Sequence, residues 1–257
     1  MKTDLSDVTF LILIRLDSTE RLENVLAVTH AITRYFDTNI HILEASDHNN
    51  GILQSLLRKK ALYQYVEDKD PILYKTKLFN QMVPNIATPY LAIWDADIVP
   101  DRKAIVDTVE HLRKNQADAG YPYNGLCYNV PDIIRKLYLK TSNFKVLSRN
   151  IEKMNLLYGL RLYGGAVFVQ KEKYIKAGME NEAYYGWGND DFDRYARFCE
   201  SHLTIYRCDT PLFHLFHPRG KNSQYNTNFQ RNKSDSELQK RKNPLLYEHS
   251  YLKPDKK

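Results

Sequence analysis

The chain has 257 residues, 43% of them hydrophobic and 12% aromatic, with a formal net charge of +6. That length and apolar content suit one large packed α/β unit or two small ones, and exclude a low-complexity or disordered chain. No apolar run approaches the ~18 residues a membrane-spanning helix needs, and "TFLILI", preceded by Asp4 and Asp7, is too short for a secretory signal.

The excess charge is confined to the end of the sequence. Residues 218–257 carry ten basic and four acidic side chains, while residues 1–217 are balanced. The expected organisation is one domain over 1–217 followed by a basic, polar tail over 218–257. Such a tail is solvated, or it touches an anionic membrane surface. It lacks the regular aromatic–basic interleaving of a single-strand groove, so no nucleic-acid partner is expected. Cys127, Cys199 and Cys208 show no metal-ligand or disulfide spacing, which suits a reducing, cytoplasmic setting.

"VTFLILIRLD" (8–17) reads as a strand buried on both faces. Asp17 or Ser18 then offers an N-cap to a helix whose stripe is Leu22, Val25, Leu26, Thr29, Ile32 and Phe36. "TNIHILEAS" (38–46) is a second strand, completing a βαβ unit and hence part of a parallel sheet. Residues 51–66 and 75–86 read as helices, the second ending near Pro84. "YLAIWDADIVP" (90–100) is a third strand and 103–115 an amphipathic helix. An irregular region with some helix runs from 118 to about 158. Residues 162–178 read as glycine turn, strand and helix, 189–202 as a helix, and 204–209 as a short strand. From Pro218 onward the composition predicts loop or tail.

Four places carry candidate chemistry. Asp95 and Asp97 close the third strand, and in open α/β sheets ligands bind beyond the carboxyl ends of strands. There they would hold a divalent ion bridging a diphosphate, or be a solvated turn. "YYGWGNDDFD" (184–193) sets Trp187 between two glycines ahead of Asp190 and Asp191. It would stack a sugar beside a proton-accepting carboxylate, or merely place acids in a first helical turn. His214 and His217 in "HLFHP" are spaced for a shared metal, or are structural. Arg15 ends the first strand where a phosphate or nucleobase would bind, or forms an ion pair. Lys77 and Asn80 carry the same two readings.

Taken in order, these segments resemble the β-1,4-galactosyltransferase family and its bacterial relatives, inverting glycosyltransferases of the GT-A fold. That family has an arginine after the first strand, a "KLLN"-like helix, a "DVDLIP"-like strand end, a "GG" turn, a "GWGGEDDD"-like motif and a late metal histidine. The counterparts here are Arg15, "KLFN" (77–80), "DADIVP" (95–100), "YGGAVFV" (163–169), "GWGNDDFD" (186–193) and "HLFH" (214–217). The resemblance implies a mixed, mainly parallel α/β sheet flanked by helices, a UDP-sugar donor and a glycan acceptor, oligosaccharide or lipid-linked. It implies Mn²⁺ or Mg²⁺ on Asp97 and His217, with His214 replacing a methionine ligand. Asp191 would be the catalytic base, and Asp190 and Trp187 would bind acceptor. Arg15, Lys77, Asp95, Gly165 and Trp187 would contact donor. Asn189 replaces a family glycine, and Asp190 is shorter than the family's glutamate. Leu162 falls where many galactosyltransferases have a tyrosine, so UDP-GalNAc joins UDP-Gal as an expected donor. The pattern suits a bacterial cytoplasmic enzyme, free or peripheral to the inner membrane, that builds a surface glycan. Two rivals stand beside it: a haloacid-dehalogenase-type phosphohydrolase with Asp95 as nucleophile, and a non-catalytic sugar-nucleotide binder.

Overall fold

A computed structural model describes residues 1–58, 60–159 and 162–241. The chain runs β1 (Thr3–Ile14), α1 (Thr19–Tyr35), β2 (Phe36–Ser46), α2 (Ile52–Leu57), β3 (Leu62–Glu67), α3 (Lys75–Met82), β4 (Tyr90–Asp95), β5 (Ile98–Val99) and α4 (Arg102–Arg113). It continues through β6 (Ala119–Tyr121), β7 (Cys127–Val130), α5 (Asp132–Thr141), α6 (Phe144–Ser148), β8 (Asn155–Tyr158), β9 (Ala166–Gln170) and α7 (Lys171–Lys176). The last elements are α8 (Asp190–Glu200), β10 (Ile205–Arg207), β11 (Leu212–Leu215) and α9 (Asn228–Gln239).

The main sheet has the order β10-β6-β9-β4-β1-β2-β3. All its pairings are parallel except those of β9 with β4 and β6. Residues Val8 and Phe10–Ile14 of β1 are buried at the sheet centre, as expected of a strand covered on both faces. Ser18 caps α1, its hydroxyl accepting from the Arg21 backbone N–H at 3.2 Å. From β1 the chain steps outward to β2 and β3, then returns to the other side of β1 as β4. That reversal opens a crevice beyond the carboxyl ends of β1 and β4. A smaller sheet, β5-β11-β7-β8, closes one side of the crevice and carries His214 on β11.

Three local expectations change. The helix expected over 51–66 stops at Leu57, where Arg58 takes a left-handed φ of 52°. "LYQYVE" then pairs with β2 as β3, because aromatic and β-branched residues favour an edge strand. The strand expected over 90–100 breaks after Asp95, and Ile98–Val99 cross into the smaller sheet. The region 118–158 is more regular than expected, holding β6, β7, β8, α5 and α6.

Beyond Pro218 the chain is not merely loop. Thr227 caps α9, accepting from the Gln230 N–H at 3.1 Å. Arg241 then reaches back to Asp193 of α8 at 2.6 Å. Of α9 only Ser234 and Leu238 are buried, so the sequence carries almost no apolar periodicity there. The rest of the basic tail, 242–257, lies outside the described residues. No described helix is long and apolar enough to cross a membrane.

Candidate active site

The crevice has a volume of about 250 Å³ and is lined by Arg15, Asp95, Asp97, Gly165, Trp187, Asp190, Asp191, His214 and His217 together. Segments remote in sequence therefore converge, and each is held by its own local structure.

Asp97 follows the end of β4 and is buried. His217 Nε2 lies 3.2 Å and His214 Nε2 3.7 Å from its Oδ2. One donor atom from each residue falls within 4.8 Å of the others, the clustering a single ion requires. His217 Nδ1 lies 2.8 Å from the Pro218 carbonyl, so it donates there, and this bond fixes the ring with Nε2 turned towards Asp97. His214 Nδ1 is 3.3 Å from Asn129 Oδ1, which orients that ring likewise. Burial pushes His214 down to about 4, against the pull of Asp97, so its imidazole is neutral at physiological pH. Burial pushes Asp97 up, but attraction from His214, which is charged only in acid, and then the hydrogen bond and charge of His217 outweigh it and hold the carboxylate well below its ordinary range. An ionised carboxylate with two oriented imidazoles is a donor set that fits a divalent cation.

Asp190 and Asp191 start α8. Asp191 Oδ1 accepts from Arg194 Nη2 at 2.7 Å, and Arg194 is itself fixed by Glu180 at 2.9 Å and by the Tyr163 carbonyl at 3.2 Å. Asp191 Oδ2 packs on Gly164: a Cβ built there would lie 2.2 Å from it. The paired glycines thus have distinct work. Gly164 makes room for a carboxylate, whereas Gly165 takes φ +85° and its carbonyl accepts from the Asp95 N–H at 2.8 Å. Tyr123 clamps the same turn, its hydroxyl donating to the Gly164 carbonyl at 2.5 Å.

The adjacent carboxylates are driven in opposite directions. Burial, reinforced by Asp191, pushes Asp190 up to about 7, and its Oδ2 has no hydrogen-bond partner among the described residues. Burial also acts to raise Asp191, but Lys75 and then Arg194 outweigh it and hold Asp191 below its ordinary value.

Lys75 is the residue the sequence reading missed. Its ammonium lies 3.3 Å from Asp95, 3.8 Å from Asp190 and 3.9 Å from Asp191. Lys77, the expected donor contact, is exposed instead, with its ammonium 5.8 Å from the Tyr74 ring centroid, outside the lining of the crevice. Two residues are about 200° apart around a helix, so only one of the two lysines can face the site. Asn80 points away as well, bracketing the backbone of Glu180 through two 2.9 Å bonds.

Arg15 lines the crevice but is already engaged. Its guanidinium donates to the Ala45 carbonyl at 3.0 Å, the Asp70 carbonyl at 2.7 Å and the Asp68 carboxylate. Trp187 packs edge-on against Tyr225 with ring centroids 4.8 Å apart, and Gln230 donates to its carbonyl at 3.2 Å. Gly186 precedes it at φ +77°, with Ile72 and Gln230 where a Cβ would go. Leu162 also lines the crevice, and Phe192 packs behind it on Tyr163.

Residues 145–219 match the family described as the N-terminal domain of galactosyltransferase. That stretch contains the glycine turn, Trp187, Asp190, Asp191, His214 and His217. Among solved structures, the catalytic domain of Drosophila β-1,4-galactosyltransferase 7, determined with xylobiose, matches with a TM-score of 0.52 at 16% identity. The match covers 93% of this chain and 80% of that one. No curated protein matches the chain in sequence. The structural likeness establishes the fold, a mixed and mainly parallel sheet of the GT-A type. With the family match, it supports a β-1,4-galactosyltransferase-like family and a glycosyltransferase.

Proposed function

We propose that the protein is an inverting, metal-dependent transferase that moves Gal or GalNAc from a UDP-sugar to a glycan hydroxyl, acting in the cytoplasm on an acceptor destined for a surface polysaccharide. The observation that carries this reading is the shared crevice, in which the Asp97–His214–His217 cluster and the Asp190–Asp191 pair face one cavity. A nucleotide diphosphate at the first and an acceptor hydroxyl at the second would bracket one anomeric carbon.

Asp97, His214 and His217 would hold Mn²⁺, which two imidazoles favour over Mg²⁺. That ion would supply charge neutralisation for the departing diphosphate. Asp191 is the base in this reading. It is ionised, less buried than Asp190, and has Oδ2 free of Arg194, so it can receive the acceptor proton as the hydroxyl attacks. Asp190, poised near neutrality, would hold a second acceptor hydroxyl, and Trp187 would present its ring to the sugar. Leu162 at the donor side leaves room for an N-acetyl group.

The rivals explain less. A phosphohydrolase needs Asp95 as a free nucleophile, whereas Asp95 is paired with Lys75. A binding protein needs no separately tuned carboxylate pair. The test is UDP release from a panel of UDP-sugars with Mn²⁺, with and without mixed acceptors. Acceptor-stimulated release from UDP-Gal or UDP-GalNAc is expected, and Asp191→Asn should bind UDP yet transfer at least ~100-fold slower. Near-normal turnover in that variant, or rapid hydrolysis of p-nitrophenyl phosphate with no UDP release, would refute the assignment.

A further inference from the structure

Helix α5 departs from the usual partition of a surface helix. Its inward residues are Ile134, Arg135 and Tyr138, all buried. Its outward stripe is Ile133, Lys136, Leu137 and Lys140, spaced i, i+3, i+4 and i+7, so all four side chains share one face. Ile133 is 76% exposed and Leu137 50% exposed. Water solvates such a stripe poorly, and nothing among the described residues covers it.

The surrounding charge narrows the occupant. Lys145 and Arg149, in and just after α6, and Lys153 beyond them are exposed. Among the described residues no carboxylate lies within ion-pair distance of Lys140, Lys145, Arg149 or Lys153. The acidic groups nearby are few and largely spoken for. Asp132 pairs with Lys136 at 2.7 Å and Glu23 with buried Arg135 at 2.6 Å, leaving Glu152, which is exposed, and Glu20, half-buried beside Arg135. Large apolar side chains alternating with lysines on one stripe fit the boundary between anionic headgroups and acyl chains, where lysine stems reach up to phosphate while Ile and Leu enter the hydrocarbon. A helix of ten residues is about 15 Å long, enough to lie in that boundary and too short to cross it.

The helix is also braced to the site. Arg135 Nε donates to Asn24 Oδ1 at 2.8 Å, and Asn24 Nδ2 donates to the Leu215 and Phe216 carbonyls at 3.2 Å, immediately before His217. A surface bound through α5 would therefore hold the crevice at a fixed orientation. The geometry points to α5 as an interfacial helix that docks the protein on an anionic lipid bilayer through Ile133, Lys136, Leu137 and Lys140. This assignment is independent of the sugar transferred and of residues 242–257.

The test uses the full chain and sedimentation with vesicles of phosphatidylcholine alone or mixed with phosphatidylglycerol. Binding is expected only to the mixed vesicles and is expected to weaken as salt rises. Ile133→Ser with Leu137→Ser, and separately Lys136→Gln with Lys140→Gln, should each weaken it by about 10-fold or more. Both pairs are on the surface, so melting temperature and UDP release with a soluble acceptor should stay unchanged. Four results would overturn the assignment. They are no vesicle binding, equal binding to neutral vesicles, binding untouched by either pair, and a concentration-dependent dimer that the Ser pair dissolves. The third would move the contact to the basic tail, and the last would make the stripe an interface between two copies of this chain.

Discussion

Replacing Lys75 by Met tests the electrostatic core of the site most directly. One ammonium serves three carboxylates at 3.3, 3.8 and 3.9 Å, so its loss leaves a cluster of like charges with Arg194 as the remaining cation beside it. Removing one member of a fully buried ion pair costs about 3–5 kcal/mol. Lys75 keeps 27% of its side chain exposed, so water recovers part of that, leaving about 2–3 kcal/mol. For a chain of this size the melting temperature should fall by about 5–10 °C. The loss should also depend on pH. Asp95 and Asp190 are already raised by burial, and without the ammonium they rise further above their unfolded values. A raised acid contributes stability that is present at low pH and is lost as pH climbs through its folded value. The deficit relative to the native chain should therefore widen between about pH 5 and pH 8. Thermal melts of both proteins in EDTA across that range measure it. A deficit that stayed constant, or shrank as pH rose, would show that Lys75 acts through packing of its stem and not through charge.

Gly164→Ala should fold, because the strain is confined to one contact, but its Cβ must displace Asp191 Oδ2. We expect at least ~10-fold loss of turnover with a stability cost of about 1–3 kcal/mol, read by transfer assay and chemical denaturation. His217→Ala should weaken Mn²⁺ binding in calorimetry by about 10-fold or more, because the nitrogen that faces Asp97 is removed, while thermal melts in EDTA show the apo protein still folded. Burial and the neighbouring Asp191 push Asp190 up to about 7, so the Michaelis constant for acceptor should change across neutrality. Asp190→Asn should flatten that limb of the profile, and an unchanged limb would assign it to another group.

How much was legible in the sequence varies with the physical origin of each feature. The buried strands and the carboxylates at their ends follow from period and polarity, so Asp95 and Asp97 were found at the right edge of the sheet. The convergence of Asp97, His214 and His217 was legible as an i, i+3 histidine pair plus a strand-end acid. Lys75 was not, because "KTK" offers two lysines and only the helix phase, set by burial of Thr76, Leu78 and Phe79, decides which faces the crevice. The phase had a readable signal: Leu78, Phe79 and Met82 mark the buried stripe, and Lys75 continues it at i−3 and i−4. The α9 helix had almost none, since it is held by Thr227 and by contacts from Asn189 and Arg241 that exist only after folding. Arg15 was placed correctly and its freedom was not, for its three acceptors lie in segments 30 to 55 residues away.

The opposite shifts of Asp190 and Asp191 explain why the site invests so much buried charge in positioning. Two adjacent carboxylates at a helix start would otherwise behave alike, both favoured as anions by the helix dipole. Arg194, drawn into the core by Glu180 and the Tyr163 carbonyl, reaches only Asp191. Asp190 is left deeper, with one oxygen unsatisfied. A charge fixed on one side only splits the pair into an anion and a group near its midpoint, which is the division of labour a base beside a hydroxyl-binding group requires. It also accounts for the cost. The Glu180–Arg194 pair is almost fully buried and would contribute little as stability alone. Its place beneath α8 supports Asp191, and not Asp190, as the ionised carboxylate facing the crevice.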